Sequence, residues 1–162
     1  ALSNAETEEN VPDGMFQTLS DVSGVMDWGK VVELETNADL NNALFGNLAY
    51  IMHPSLVGKA KTKVKDQSGA GGFLFGNDGT GMLNGYRALR TNNIPKGLRD
   101  AKDEFGIVFG NWADYFLGQW GAIDMTVDPY TQATKGAVRL VINSYWNMGM
   151  IRPESFTIAS MK

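Results

Sequence analysis

Cysteine is absent from the 162 residues, which excludes disulfides, thiolate nucleophiles and cysteine-held zinc or iron–sulfur centres. The compartment stays open, because missing cysteine removes only the argument for a disulfide scaffold. Histidine occurs once, at His53, so no histidine cluster can hold a metal. No apolar run approaches the roughly 20 residues of a membrane helix. The opening ALSNAETEEN lacks the basic-then-apolar pattern of a secretory signal. It is small, polar and acidic, and reads as a flexible arm or a cut end. Positive charge is in deficit too: 18 acids face 14 bases, for a net charge of −4. Without an overall cationic field, DNA binding is not expected as the main role, although a local patch stays possible. No repeat of solenoid length is visible.

What is present is enough apolar residue, 43%, to bury a core in one domain or two small lobes. Nineteen glycines and frequent asparagine predict much turn and loop. Pro12-Asp13-Gly14 signals a turn, and KVVELE (30–35) fits an edge strand. Leu40, Leu44, Leu48 and Ile51 recur at helical spacing, which predicts a helix over about 37–48. AYIMHP (49–54) predicts a buried strand. Pro54 then opens a helix over 55–65 with Lys59, Lys61, Lys63 and Lys65 as its solvated face. Short strands are expected at 73–75, 86–91 and 105–109. In AVRLVINSYWNMGMI, Val138, Leu140, Ile142, Ser144 and Trp146 alternate with Arg139, Val141, Asn143, Tyr145 and Asn147. A turn at Asn147-Met148-Gly149 and a last strand FTIA complete the expectation, which is α+β.

The candidates for chemistry are thin. His53 beside Pro54 suits a general base at a strand end, and equally a packed histidine with one satisfied nitrogen. No G-x-S-x-G elbow accompanies it. GAGGFLFGNDGTG (69–81) has the composition of a phosphate loop without its order, and fits a mobile connection better. Asp78 lacks the twelve-residue calcium spacing. Asp114, Asp124 and Asp128 are carboxylates that must face one another across a substrate to act as a pair. Asp128-Pro129 reads instead as a turn start, and Asp124 as the polar step between Ile123 and Met125. Trp112, Phe116 and Trp120 stand four apart, but Gly110, Gly118 and Gly121 favour strand, bend and strand over a helix, with the bend at Gly118–Gly121. Trp112 and Trp120 should then pack within the fold or against a neighbouring subunit. The bases Arg87, Arg90, Lys96, Arg99 and Lys102 are scattered among acids and read as solvated surface. No catalytic, cofactor-binding or metal residues are therefore expected, and no cofactor. Two alternatives stay open: a hydrolase using Asp124 or Asp128 with His53, and a ligand-binding module presenting Trp112, Trp120 and Trp146.

Four segments in order resemble the tailed-phage (HK97-like) major capsid proteins. They are AYIMHPSLVGKAKTKVKDQSGAGGFLF, MLNGYRALRTNNIP, GIVFGNWADYFLGQWGAIDMTVDPY and VRLVINSYWNMGMIRPESFTIAS. Asn111 stands where that family commonly has Asp. The resemblance covers about residues 28–160 and implies an HK97-like capsid fold. It implies an axial domain over 35–125, peripheral-domain parts at 28–34 and 126–162, and an acidic segment at 1–27. The family's N-terminal arm, extended hairpin loop and spine helix have no counterpart in these residues, so a C-terminal portion is expected. The implied function is structural rather than enzymatic: self-assembly through pentameric and hexameric capsomers into an icosahedral phage or prophage head. Implied partners are other copies of the chain, portal or scaffolding proteins, and packaged DNA contacted nonspecifically, with no membrane. The implied location is the virion, assembled in the cytoplasm of a bacterial host. The 69–81 loop and the 92–104 connection are the expected ring-facing or mobile surfaces.

Overall fold

The computed structural model describes residues 14–17, 20, 22–66, 68, 71–76, 81–99 and 101–162. The expected turn at Pro12-Asp13 and the tip of the glycine-rich loop with Asp78 lie outside these residues. The chain divides into a larger unit, Ala1–Tyr115 with Met150–Lys162, and a smaller one, Phe116–Gly149.

The larger unit is organised by a central strand. β1 is Leu48–Met52, β2 Met82–Leu83, β3 Tyr86–Arg90, β4 Lys96–Leu98 and β5 Glu104–Asn111. The long ribbon strands are β6, Tyr115–Asp128, and β7, Arg139–Met150; the last strand is β8, Phe156–Met161. The sheet runs β2-β3-β1-β5, with β4 and β8 also paired to β5. β1 and β3 are parallel, while β1–β5 and β5–β8 are antiparallel. Ile107 lies opposite both Met52 and Ala159, so β1 and β8 take opposite edges of β5. β5 is paired on both edges and buried on both faces, Ile107 and Phe109 entering one core and Val108 another, and the burial of both faces explains its nearly continuous apolar run, EFGIVFGN.

Alternation along these strands builds two cores. Tyr50, Met52, Ile107, Phe109, Ala159 and Met161 face the helices α1, Trp28–Leu40, and α2, Pro54–Thr62. Val108, Phe156 and Ile158 form the second core with Met15, Phe16, Ile94 and Leu98. Gly110 is needed where β5 meets β8: a Cβ there would lie 2.4 Å from the Ser155 carbonyl oxygen. Gly106 meets Phe16 and Ile94 in the same way.

Several expectations are corrected. KVVELE is not a strand but the middle of α1, which starts where Asp27 accepts a hydrogen bond from the Lys30 amide at 2.8 Å. Val31, Leu34 and Ala38 form its buried stripe. The helix ends at Leu40, so the expected helix over 37–48 is overturned. Asn41 caps it, and Asn42 adopts φ 53°, a left-handed conformation that asparagine tolerates. The strand expected at 49–54 is β1, and the helix expected over 55–65 is the shorter α2. At 73–75 only single bridges form, Val64 to Phe73 and Phe75 to Leu83. The strand β6 continues through Gly118–Gly121, where Gly121 takes a left-handed φ of 71°, and the chain also turns at a 3-10 segment, Trp112–Asp114. The turn expected at Asn147–Gly149 is strand as well. The compact units divide at 115/116 and 149/150. Residues 28–34 and 156–161, expected together with the ribbon, belong to α1 and β8 of the larger unit.

Candidate functional site

The smaller unit is a β-ribbon. β6 and β7 form a two-stranded sheet, and among the described residues neither strand pairs elsewhere. Strand geometry sends successive side chains to opposite faces. Ile123, Met125 and Val127 thus share one face of β6, as Leu140, Ile142 and Trp146 share one face of β7. All six are exposed, Ile123 and Ile142 at 63%. Residues 116–149 carry only Asp124, Asp128, Lys135 and Arg139 as charges, two of each sign. An isolated two-stranded ribbon is marginal in water, and its outer edges present unpaired amides and carbonyls. An exposed, nearly uncharged apolar surface with two open edges is the signature of a protein-binding element. Chemically it can bury itself or extend a sheet; it offers nothing for bond-making.

The ribbon is nevertheless locally ordered. Asp128 accepts from the Tyr130 amide at 2.9 Å and the Thr131 amide at 3.1 Å, and the Thr131 hydroxyl donates to it as well. The Thr131 hydroxyl, then the two amides, hold the Asp128 carboxyl below the usual carboxylate range. Asp128-Pro129 is therefore the turn that the sequence predicts. Gly149 is required within the ribbon: a Cβ there would lie 2.9 Å from the Phe116 ring.

Within the larger unit, polar contacts tie the segment 111–114 to the segment 151–155. Asp114 accepts from the Ser155 hydroxyl at 2.6 Å and from the Asn111 side-chain amide at 3.2 Å. Its carbonyl accepts from the Ile151 amide at 2.8 Å. Fully buried Asn111 also accepts from the Asn47 and Ala113 amides through Oδ1. Sequence reasoning did not single out this joint. Its traces were Asn111 as a departure from a family pattern and Asp114 as a candidate carboxylate; the link to Ser155 was hidden by a separation of 41 residues. A second missed element is buried Glu104, which accepts from the Ser160 hydroxyl at 2.6 Å and the Gly24 amide at 3.0 Å and pairs with Arg99 at 3.4 Å.

The sequence candidates do not converge. His53 is buried, and its ring stacks on Phe105. Nδ1 accepts from the Ser55 amide at 3.2 Å, capping α2. That leaves Nε2 as the protonated nitrogen, donating to Asn92 Oδ1 at 3.0 Å. Both nitrogens are thus committed, as in a packed histidine. His53 belongs to the larger unit and Asp124 and Asp128 to the ribbon, and no described contact joins them. Trp112 is half-buried in the larger unit: its indole N–H donates to the Ala49 carbonyl at 3.0 Å, and its ring packs on Tyr115 and Phe156. Trp120 and Trp146 lie on the ribbon, exposed at 56% and 52%, so the three indoles do not share one unit. Lys59, Lys61 and Lys65 lie over the rings of Phe105, Phe75 and Trp28. Among the described residues, no group of acids and histidine is arranged to hold a metal ion.

The same chain is recognisable in other proteins. Residues 7–161 match the phage capsid family. A major capsid protein of Halomonas phage phiHAP-1 is 30% identical over 159 residues, which cover 94% of this chain and 24% of that protein. Among solved structures, the capsid of an empty GTA particle superposes with a TM-score of 0.65 at 15% identity, covering 98% of this chain and 59% of that one. The structure titled Gordonia phage Cozz superposes with a TM-score of 0.64 at 14% identity, covering all of this chain and 56% of that one. The chain thus spans about a quarter of the curated relative and under three-fifths of these solved chains.

Proposed function

The chain belongs to the phage capsid family, and from that premise we propose that it is a structural subunit of a phage or prophage head. Its fold is the HK97-like capsid fold of α+β class. The observation that carries the proposal is the ribbon, residues 116–149, with an apolar face and two open edges in a single chain. A surface of that kind needs a partner, and in a shell built of copies the partner is another copy. Weak contacts repeated many times then give a stable assembly. Pentameric and hexameric capsomers follow when a head-to-tail contact closes into a ring.

The domain assignment proposed here follows the compact units. The larger unit is taken as the axial domain around the capsomer centre, and the ribbon as the peripheral part. This revises the boundary expected from sequence, because β8 completes the sheet of the larger unit. The role is non-enzymatic and the location is the virion, assembled in the host cytoplasm. Packaged DNA is contacted nonspecifically, and portal and scaffolding proteins are further partners.

Expression of the gene product that contains this chain, followed by electron microscopy, tests the proposal. Rings of five or six subunits, or closed particles, are expected. Monomers under every assembly condition would contradict it.

A further inference from the structure

The hairpin of β2 and β3 turns through Asn84 and Gly85, the one place in the chain where asparagine precedes glycine. Leu83 pairs with Tyr86 across the turn, so the loop has just these two residues. Both take positive φ, 50° and 79°, as a type I′ hairpin turn requires. Gly85 is exposed, and a Cβ on it would meet nothing within 4 Å, so water reaches the turn. Among the described residues no group accepts a hydrogen bond from the Gly85 amide. An asparagine side chain is most open to attack by the next backbone nitrogen when that residue is glycine, because no side chain obstructs the approach.

The Asn84 side chain is clamped. Its Nδ2 donates to Glu35 Oε2 at 2.5 Å, and the Tyr86 hydroxyl donates to Oε1 of the same carboxylate at 2.6 Å. Glu35 lies on α1, so the clamp ties the hairpin tip to the helix. One turn earlier the Val31 carbonyl accepts from the Tyr50 hydroxyl at 3.2 Å, a second tie between α1 and the sheet. The hydrogen bond to Glu35 is the main cause that pushes the Tyr86 hydroxyl up to about 12, so the clamp keeps its proton in mildly alkaline solution. The carboxylate also guards the amide chemically. Accepting from Nδ2 strengthens the amide resonance and makes Cγ a poorer electrophile. Its negative charge opposes the further anion that attack by the Gly85 nitrogen would create.

We propose that Asn84 is a guarded site of spontaneous deamidation, with water as its co-reactant, which holds the hairpin away from α1 once the two have parted. The Gly85 nitrogen gives its proton to solvent and bonds to Asn84 Cγ. The Cγ–Nδ2 bond breaks, and ammonia leaves with a proton taken from water. Water then opens the cyclic imide at either carbonyl, leaving aspartate or isoaspartate, and nothing is oxidised or reduced. Aspartate at this position sets a second carboxylate against Glu35, where like charge opposes reclosure. Isoaspartate adds a carbon to the backbone of a turn that fixes strand register. Either product turns a passing separation into a lasting one.

Mass spectrometry of proteolytic peptides reads the conversion at each asparagine after the chain is held in mildly alkaline buffer. Asn84 should convert slowly in the parent and about tenfold faster in Glu35→Ala, the size expected for losing a charge-assisted hydrogen bond. Glu35→Gln keeps an acceptor without the charge and should fall between; it stands in if circular dichroism shows the alanine variant unfolded. The other asparagines should keep their parental rates in both variants, which separates loss of the guard from general loosening. In Asn84→Asp, amide exchange in β2, β3 and α1 should quicken while β5 and β8 stay as in the parent. Conversion at Asn84 no faster in the Glu35 variants than in the parent would overturn the proposal. So would an Asn84→Asp chain whose hairpin and α1 exchange as the parent's do.

Discussion

Phe109 and Ile142 are both large apolar residues on strands, yet one is sealed and the other is 63% exposed. Phe109 sits on β5 between two neighbouring strands, stacked against Tyr50 and Tyr86 at 4.4 and 5.1 Å. Among the described residues, Ile142 sits on a two-stranded ribbon with no third strand. The larger unit completes its own core, whereas the ribbon has the composition of a core and lacks the opposing layer. Apolar patterning thus ends buried in the larger unit and exposed on the ribbon.

The comparison can be broken at its strongest point first. Phe109→Ala should cost the larger unit about 3–5 kcal/mol, read as a lower midpoint in urea. Gly110→Ala should cost about 1–3 kcal/mol, because a Cβ there meets the Ser155 carbonyl oxygen, the Phe156 ring and the Phe156 Cα, and the two backbone atoms cannot swing away. Ser155→Ala, which removes the hydroxyl donated to Asp114, should cost about 1 kcal/mol. Ile142→Lys should leave the stability of the free chain within about 0.5 kcal/mol. The same variant should abolish assembly, and a large loss of monomer stability instead would mean that the ribbon has its own core.

The smallest effect is at the ribbon tip. The Asp128 carboxyl is held below its usual range, so its contribution is present above the ordinary carboxylate pKa. It is lost as pH falls through the lowered folded value. The protection factors of the Tyr130 and Thr131 amides, relative to intrinsic exchange at each pH, should stay flat from neutral pH down to the carboxylate range and fall only below it.

Strands whose signal was local were legible in the sequence. β1, β3, β5 and β8 follow from short apolar runs bounded by turns, and Asp128-Pro129 from its own turn chemistry. α1 was misread because Val31 and Val32 suggest a strand, while the Asp27 cap and the Val31–Leu34–Ala38 stripe decide for a helix. The false helix over 37–48 arose because Leu40 and Leu44 keep helical spacing across a turn that Asn41 and Asn42 impose. The glycines at 118 and 121 do not end the strand: Gly121 takes its left-handed φ of 71° within β6. The ribbon's apolar alternation was visible, but exposure is a property of missing neighbours, which a single sequence does not display. The Asn111–Asp114–Ser155 joint was illegible for the same reason: Asp114 and Ser155 stand 41 positions apart, with the whole ribbon between them in sequence.

Hydrogen exchange of residues 116–149 tests the central claim most directly, compared between the free chain and purified particles that contain it. The account predicts fast exchange along the outer edges of β6 and β7 in the free chain and strong protection in particles, with β5 protected in both. Ribbon amides that exchange equally fast in particles and in the free chain would contradict it.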